Sequence, residues 1–109
     1  MLYKTLLKFI DREDARLKAL AGSGADERAR SLGRTVQLSE ELGELSNEIL
    51  AYSNFQQQEK LARHDPETLA DKFTDLVIST LLLGKGLNIN LKKALRDKVS
   101  RLNKRRFKR

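Results

Sequence analysis

Cysteine is absent from the 109-residue chain, so disulfide bonds, thiolate nucleophiles and cysteine metal sites are excluded. The single histidine, His64, leaves no zinc-ligand spacing and no Ser/His/Asp triad, and no phosphate-binding glycine loop occurs. The chain has one proline and no tryptophan. It is rich in Leu, Ala, Lys, Arg and Glu, a composition that favours helices.

Long apolar runs are also lacking. The longest, at residues 76–83, is interrupted by Ser79 and Thr80 and falls far short of the roughly 20 residues that span a bilayer. The first ten residues include Lys4 and Lys8 and have no signal-peptide core. We therefore expect a cytoplasmic protein that does not bind membranes.

Positive charge is concentrated at the C-terminal end. Residues 92–109 contain ten Lys or Arg and one acid, Asp97, which gives +9, so the net charge of +7 leaves −2 for residues 1–91. Such a segment can contact nucleic-acid phosphates without reading sequence. No recognition helix or aromatic stacking platform accompanies it, so nucleic acid remains an alternative partner and not the expected one.

Four helices are predicted within one domain spanning residues 1–109, at residues 1–21, 26–53, 65–86 and 90–109. Asp26, Asp65 and Asn90 are suited to cap the last three of these helices, and Pro66 suits a first helical position. Gly86 can end the third helix in the left-handed conformation. The predicted fold class is an all-α, four-helix bundle, and a domain this small benefits from oligomerisation.

The second helix carries a row of glutamates. Leu38, Leu42, Leu45, Ile49 and Tyr52 recur at helical spacing and form an apolar stripe. With Leu38 as zero, Glu41, Glu48 and Glu44 fall at roughly 300°, 280° and 240°, at the edge of this stripe, and Glu40 at roughly 200°. Such carboxylates repel one another unless a cation such as Mg²⁺ lies among them. The simpler alternative is that they pair with basic residues of neighbouring helices.

The third helix repeats this geometry. Its stripe consists of Leu69, Phe73, Leu76, Thr80 and Leu83. Lys72, Ser79 and Asp75 lie on one flank of that stripe, at roughly 300°, 280° and 240° from Leu69. Antiparallel packing of the two helices is therefore predicted to bring Asp75 beside the glutamates, as in metal sites built inside helical bundles.

These residues resemble a known family. The segment 40–45, Glu-Glu-Leu-Gly-Glu-Leu, resembles the E-E-x-x-E motif of the MazG-like nucleoside triphosphate pyrophosphohydrolases. Asp75 with the apolar residues after it is similar to the family's E-x-x-D helix. Residues 86–91 resemble its connector, and 103–107 resemble its basic, aromatic-containing end. The resemblance covers about residues 35–109.

The resemblance implies a MazG-type fold completed by assembly into a homodimer or homotetramer. It also implies hydrolysis of a nucleoside triphosphate to a monophosphate and pyrophosphate, with Mg²⁺ or Mn²⁺ as cofactor. Glu41, Glu44 and Asp75, which match the family's motifs, would be metal ligands. Glu48 and Asp71 would be extra ligands, and Asp71, about 40° from Asp75 on the wheel, could replace the missing glutamate. Glu40 and Glu41 would be the catalytic residues, with Glu40 binding a further ion or orienting the attacking water, and Lys104 and Arg106 would contact phosphate.

Lys72 departs from the family pattern. It stands three residues before Asp75, where the family has the glutamate of E-x-x-D. An ammonium at this position removes a ligand and repels a metal ion. Two alternatives to the enzyme therefore stay open, namely a degenerate relative that binds nucleotides or assembles without catalysis, and non-specific nucleic-acid binding through the basic C-terminus.

Overall fold

The computed structural model describes residues 2–21, 26–53 and 66–106, except for the side chains of Tyr52 and Pro66. They form four helices: α1 (Leu2–Ala21), α2 (Glu27–Ser53), α3 (Pro66–Gly86) and α4 (Leu91–Arg106). No strand occurs in these ranges, which confirms the all-α class. The glycine-containing break, His64, the cap Asp65 and residues 107–109 lie outside the described residues. None of the described helices is both long and apolar enough to cross a membrane.

Two of the predicted helix caps are present. The Asp26 Oδ1 atom accepts a hydrogen bond from the backbone N–H of Arg28 at 3.0 Å, and the Asn90 Oδ1 atom accepts one from the N–H of Lys93 at 3.1 Å. Each bond satisfies a donor in the first turn that has no partner inside the helix. The prediction counted Asp26 and Asn90 as the first residues of their helices. Because both residues are caps, α2 and α4 begin one residue later than predicted, at Glu27 and Leu91.

The end of α3 differs from the prediction for Gly86. The left-handed residue is Asn88, with φ of 61°, and Gly86 is still helical. The N–H groups of Ile89 and Asn88 donate to the carbonyls of Gly84 and Lys85, both at 3.0 Å. This is the Schellman arrangement, in which asparagine can replace glycine because it tolerates positive φ.

Helix α3 packs against α2, against α1 and, near its C-terminal end, against the start of α4. Two contacts fix the direction of the α2–α3 pair: Glu44 meets Lys72, and Arg34 meets the carbonyl of Leu82. Moving ten residues back along α2 thus corresponds to moving ten residues forward along α3. The two helices are antiparallel, as predicted.

The core is thin, and the predicted apolar stripes are only partly buried. Among the described residues, Ile10 and Leu45 are the fully buried apolar side chains, at 1% and 4% exposure. Leu42, Ile49 and Phe73 are 53%, 40% and 48% exposed, so their assignment to the core was wrong. The α2–α3 contact lies on the side of Leu45, and the other leucines of the two stripes are half-buried: Leu38, Leu69, Leu76 and Leu83.

An ion pair joins three helices near this core. The Arg34 Nη1 atom donates to Asp14 Oδ1 at 2.7 Å and to the Leu82 carbonyl at 2.9 Å, so it connects α1, α2 and α3. Lys18 lies 2.8 Å from the other oxygen of Asp14. Burial raises the pKa of Asp14, but the hydrogen bonds from Lys18 and Arg34 outweigh it and hold the pKa below its usual 3.8.

Gly86 allows Arg34 to approach α3. A Cβ atom at this position would lie 2.8 Å from Arg34 Nη1, which its two hydrogen bonds hold in place. We expect Gly86→Ala to lower the free energy of unfolding by about 1–2 kcal/mol, despite the better helix propensity of alanine. Urea denaturation followed by circular dichroism would measure this loss.

Gly33→Ala is the matched control, because a Cβ atom there would meet nothing within 4 Å. We expect it to raise the free energy of unfolding by about 0.5–1 kcal/mol through helix propensity alone. Equal effects of the two substitutions would contradict a packing role for Gly86.

Candidate functional site

Three of the predicted carboxylates lie around Lys72, where α2 packs against α3. Because the antiparallel register pairs Glu44 with Lys72, Glu41 lies level with Asp75. We call Glu41, Glu44, Asp75 and Lys72 the carboxylate site. The periodicity of each helix places these side chains on the same flank of its stripe, and the antiparallel contact brings the two flanks together.

Lys72 lies at the centre of this site. Its Nζ atom is 2.7 Å from Glu44 Oε2, and the two side chains are 26% and 52% exposed. The hydrogen bond to Glu44 raises the pKa of Lys72; desolvation opposes this shift, and the negative charges of Glu44, Asp75 and Glu41 add to it. The pairing of the glutamates with a basic residue, which the sequence left open, is therefore present at Glu44.

Glu41 is oriented by a neighbour on its own helix. The side-chain amide of Gln37 donates to Glu41 Oε1 at 2.7 Å. The other oxygen, Oε2, is buried and has no hydrogen-bond partner among the described residues. A buried carboxylate oxygen without a donor is costly, and a cation or a donor from a ligand would satisfy it.

The other predicted site residues lie around this centre or apart from it. Glu40 and Asp71 are exposed, and Glu48 is half-buried and engaged in an interaction of its own. Lys104 and Arg106 lie on the exposed last turn of α4, whereas α4 meets α3 through Leu91, near its first turn. The structure thus places Glu41, Glu44 and Asp75 around Lys72, and it leaves the two phosphate candidates on a separate helix.

The fit to a metal ion depends on Lys72. Carboxylate oxygens are the donors that Mg²⁺ prefers, and the unpartnered Glu41 Oε2 atom suits such an ion. Across residues 2–21, 26–53 and 66–106, however, no three acidic or histidine side chains are grouped so that they could hold a metal ion as they stand. The donor chemistry therefore fits, and the ammonium of Lys72 has to leave Glu44 before a cation can take its place.

Sequence reasoning missed Gln37. It lies four residues before Glu41, a spacing at which side chains on a helix interact, so the spacing alone could have indicated this contact. The Asp14–Arg34 pair could not be found in this way, because its partners lie on different helices.

Comparisons with protein-family models, with curated proteins and with solved structures find no match for this chain.

Proposed function

We propose that this chain is a Mg²⁺-dependent nucleotide pyrophosphohydrolase that cleaves a (d)NTP into a (d)NMP and pyrophosphate, as the MazG-like resemblance implies. The observation that supports it is the convergence of Glu41, Glu44 and Asp75 from two helices on one cationic group. Three carboxylates against one ammonium give the site a net negative charge, which attracts Mg²⁺, and the ion would in turn bind the triphosphate.

The chain's own residues have distinct roles in this proposal. Glu41, Glu44 and Asp75 bind the cation, and Glu40 with Glu41 orients the attacking water. Gln37 holds Glu41 in position through its 2.7 Å hydrogen bond. When bound, Mg²⁺ would supply the charge neutralisation that phosphate transfer requires.

Lys72 changes partner in this proposal. Its side chain is long and partly exposed, so the ammonium can move from Glu44 to the phosphates of an incoming nucleotide. Lys104 and Arg106 supply further phosphate contacts from α4, within one chain or between chains of a homodimer or homotetramer. The lysine would then bind substrate instead of competing with the cation.

The same contact supports a second candidate function. If Lys72 stays on Glu44, at 2.7 Å, the ammonium permanently occupies the place of the metal ion and no metal binds. The chain would then be a nucleotide-binding or assembly protein without catalysis. The two candidates differ in whether pyrophosphate is released.

We predict that the wild-type protein releases pyrophosphate and monophosphate in equal amounts from at least one canonical or modified (d)NTP when Mg²⁺ is present. Chelation of the metal should abolish release, and Mn²⁺ should restore it, because without a metal ion the carboxylates and the triphosphate are both negative and repel each other. A coupled pyrophosphate assay with chromatographic identification of the monophosphate measures both products.

Lys72→Glu separates the two candidates. No release by the wild type, together with release by this variant, would refute the enzyme and establish the degenerate relative. Release by the wild type would refute the second candidate, since an ammonium fixed on Glu44 could not make room for the metal.

A further inference from the structure

Helix α4 concentrates positive charge on exposed side chains. Its 16 residues include eight Lys or Arg and one acid, Asp97, which gives the helix a net charge of +7. The Lys93 Nζ atom lies 2.6 Å from Asp97 Oδ2, so the acid of the helix already has a cation beside it. All eight basic residues are exposed, and they are Lys92, Lys93, Arg96, Lys98, Arg101, Lys104, Arg105 and Arg106.

Helix α4 is held to the other described helices near its first turn. Leu91 lies against Gly84 of α3, and the Tyr3 hydroxyl of α1 donates to the Lys92 carbonyl at 3.4 Å. From residue 98 to residue 106, every residue except Leu102 is exposed. These contacts thus anchor the start of α4 and leave its basic second half open to a partner.

Three cations of the second half form a stripe. Lys98, Arg101 and Arg105 follow one another at spacings of three and four residues, which places them within about 60° of arc on the helix. We call these three residues the basic stripe. Like charges at such spacings repel one another and weaken an isolated helix. A partner with closely spaced negative charges would relieve this repulsion along the whole stripe.

The basic stripe is distinct from the surfaces used in the proposed function. With Leu91 as zero it spans roughly 280–340°, whereas Lys104 and Arg106 fall at roughly 220° and 60°. The carboxylate site lies on α2 and α3. Residues 1–91 have a net charge of −2, so a polyanion is drawn to the C-terminal end of the chain and not to the rest of it.

We propose that the basic stripe binds the phosphate backbone of double-stranded nucleic acid without reading its sequence, as a function additional to the proposed hydrolysis. A duplex carries one negative charge per roughly 1.7 Å of its axis, and α4 is about 24 Å long, so each cation of the stripe has a phosphate within reach. The sequence alone left nucleic acid as an alternative to the enzyme. Because the stripe is exposed and separate from the carboxylate site, both activities are compatible in one chain.

The chemistry of α4 favours a duplex over other polyanionic partners. No aromatic residue occurs in residues 91–106, so the bases of a single strand find no stacking platform on this helix. Leu95, Val99 and Leu102 give the helix a narrow apolar face, whereas a helix that lies in a membrane surface has a broad one. A duplex requires neither feature, since phosphate contacts alone support non-specific binding.

Fluorescence anisotropy of the full chain with two labelled DNA duplexes of about 20 base pairs and unrelated sequences tests the proposal. The affinities for the two duplexes should agree within about threefold, because phosphate contacts carry no sequence information. The logarithm of the association constant should fall linearly with the logarithm of the salt concentration. A slope of about −3 or steeper is expected when three or more phosphates are contacted.

The variant Lys98→Gln/Arg101→Gln/Arg105→Gln removes the basic stripe. Lys, Arg and Gln are similar helix formers, so α4 should stay helical, and circular dichroism checks this. We expect the variant to bind the duplex at least about tenfold more weakly near about 50 mM salt. Its salt slope should be smaller in magnitude by about 2–3, because up to three phosphate contacts are lost.

The matched control is Lys4→Gln/Lys8→Gln/Arg12→Gln. It removes the same charge from three exposed residues that follow one another at spacings of four on α1. Because the net charge of the two triple variants is equal, a difference between them reports the position of the charges and not their number. The control should bind the duplex within about threefold of the wild type.

Three results would overturn the proposal. The first is a wild type that does not bind the duplex near about 50 mM salt. The second is an equal loss of affinity in the two triple variants, since net charge and not α4 would then be responsible. The third is tighter binding to a single strand of the same length, or to vesicles of anionic phospholipid, than to the duplex. Pyrophosphate release is measured separately, so failure of the basic stripe and failure of the enzyme are distinguishable.

Discussion

Glu44→Gln is expected to lower the rate of pyrophosphate release by about a hundredfold or more, an electrostatic effect of the size seen when one preorganised group is removed from an active site. Glu44 contributes the carboxylate closest to Lys72, with Oε2 at 2.7 Å from Nζ. The amide keeps the shape of the side chain and removes the negative charge that the cation needs. The rate should be measured at saturating Mg²⁺ and nucleotide, so that weaker binding is not mistaken for slower chemistry.

Glu27→Gln is the matched control for this substitution. Glu27 lies on the same helix, in its exposed first turn, away from Lys72. Glu27→Gln and Glu44→Gln each remove one negative charge, so both variants share any effect of the protein's net charge on the attraction of nucleotides. A Glu44→Gln rate within twofold of the Glu27→Gln rate, at about the precision of such an assay, would exclude Glu44 from the cation site.

The carboxylate site could be predicted because it depends on helical periodicity. Glu41 and Glu44 share a flank of α2, and Lys72 and Asp75 share a flank of α3, whatever the two helices pack against. Only the antiparallel direction of the two helices had to be added, and the Glu44–Lys72 and Arg34–Leu82 contacts confirm it. The family resemblance also marked Lys72 as the exceptional residue, but not the acid with which it pairs.

The packing partners of each stripe could not be predicted in the same way. Leu42 and Ile49 fit an apolar stripe as well as Leu45 does, yet only Leu45 is buried. Periodicity fixes the angle between side chains but not the side on which the next helix packs. Leu42 and Ile49 are left exposed by that choice.

The end of α3 illustrates a different limit. Gly86 and Asn88 are both suited to the left-handed position, and sequence preference favours glycine. The structure uses Asn88 there and keeps Gly86 helical, where the side chain of Arg34 approaches it. A long-range contact thus decides where the helix ends, and the local sequence does not contain that contact.

Asp14→Ala is expected to lower the free energy of unfolding by about 2–3 kcal/mol at neutral pH, less than the roughly 3–5 kcal/mol lost when a fully buried ion pair is broken, because the second partner of Asp14, Lys18, is 39% exposed. The Arg34 side chain is 10% exposed and would keep only the Leu82 carbonyl as its acceptor among the contacts described here. Three helices would lose their shared connection, so α1 should detach from α2 and α3 more readily. Urea denaturation at a fixed protein concentration would measure the loss.

Glu13→Ala is the control for Asp14→Ala, because Glu13 pairs with Arg16 on the surface of the same helix. Its denaturation midpoint should match that of the wild type, since exposed pairs contribute little. A midpoint for Asp14→Ala equal to that of Glu13→Ala would show that the Asp14–Arg34 pair does not hold the three helices together.

The contribution of Asp14 to the free energy of unfolding should also depend on pH, and the lowered pKa of its carboxyl group sets the direction of that dependence. Because the folded-state pKa lies below the usual 3.8, folding favours the ionised carboxylate, and its contribution is complete above that value. It is lost as the pH falls through the lower, folded-state pKa. The difference in stability between the wild type and Asp14→Ala should therefore be constant from neutral pH to about pH 5 and shrink in more acidic solution. A difference that stayed constant into strong acid would mean that the loss comes from packing of the side chain and not from its charge.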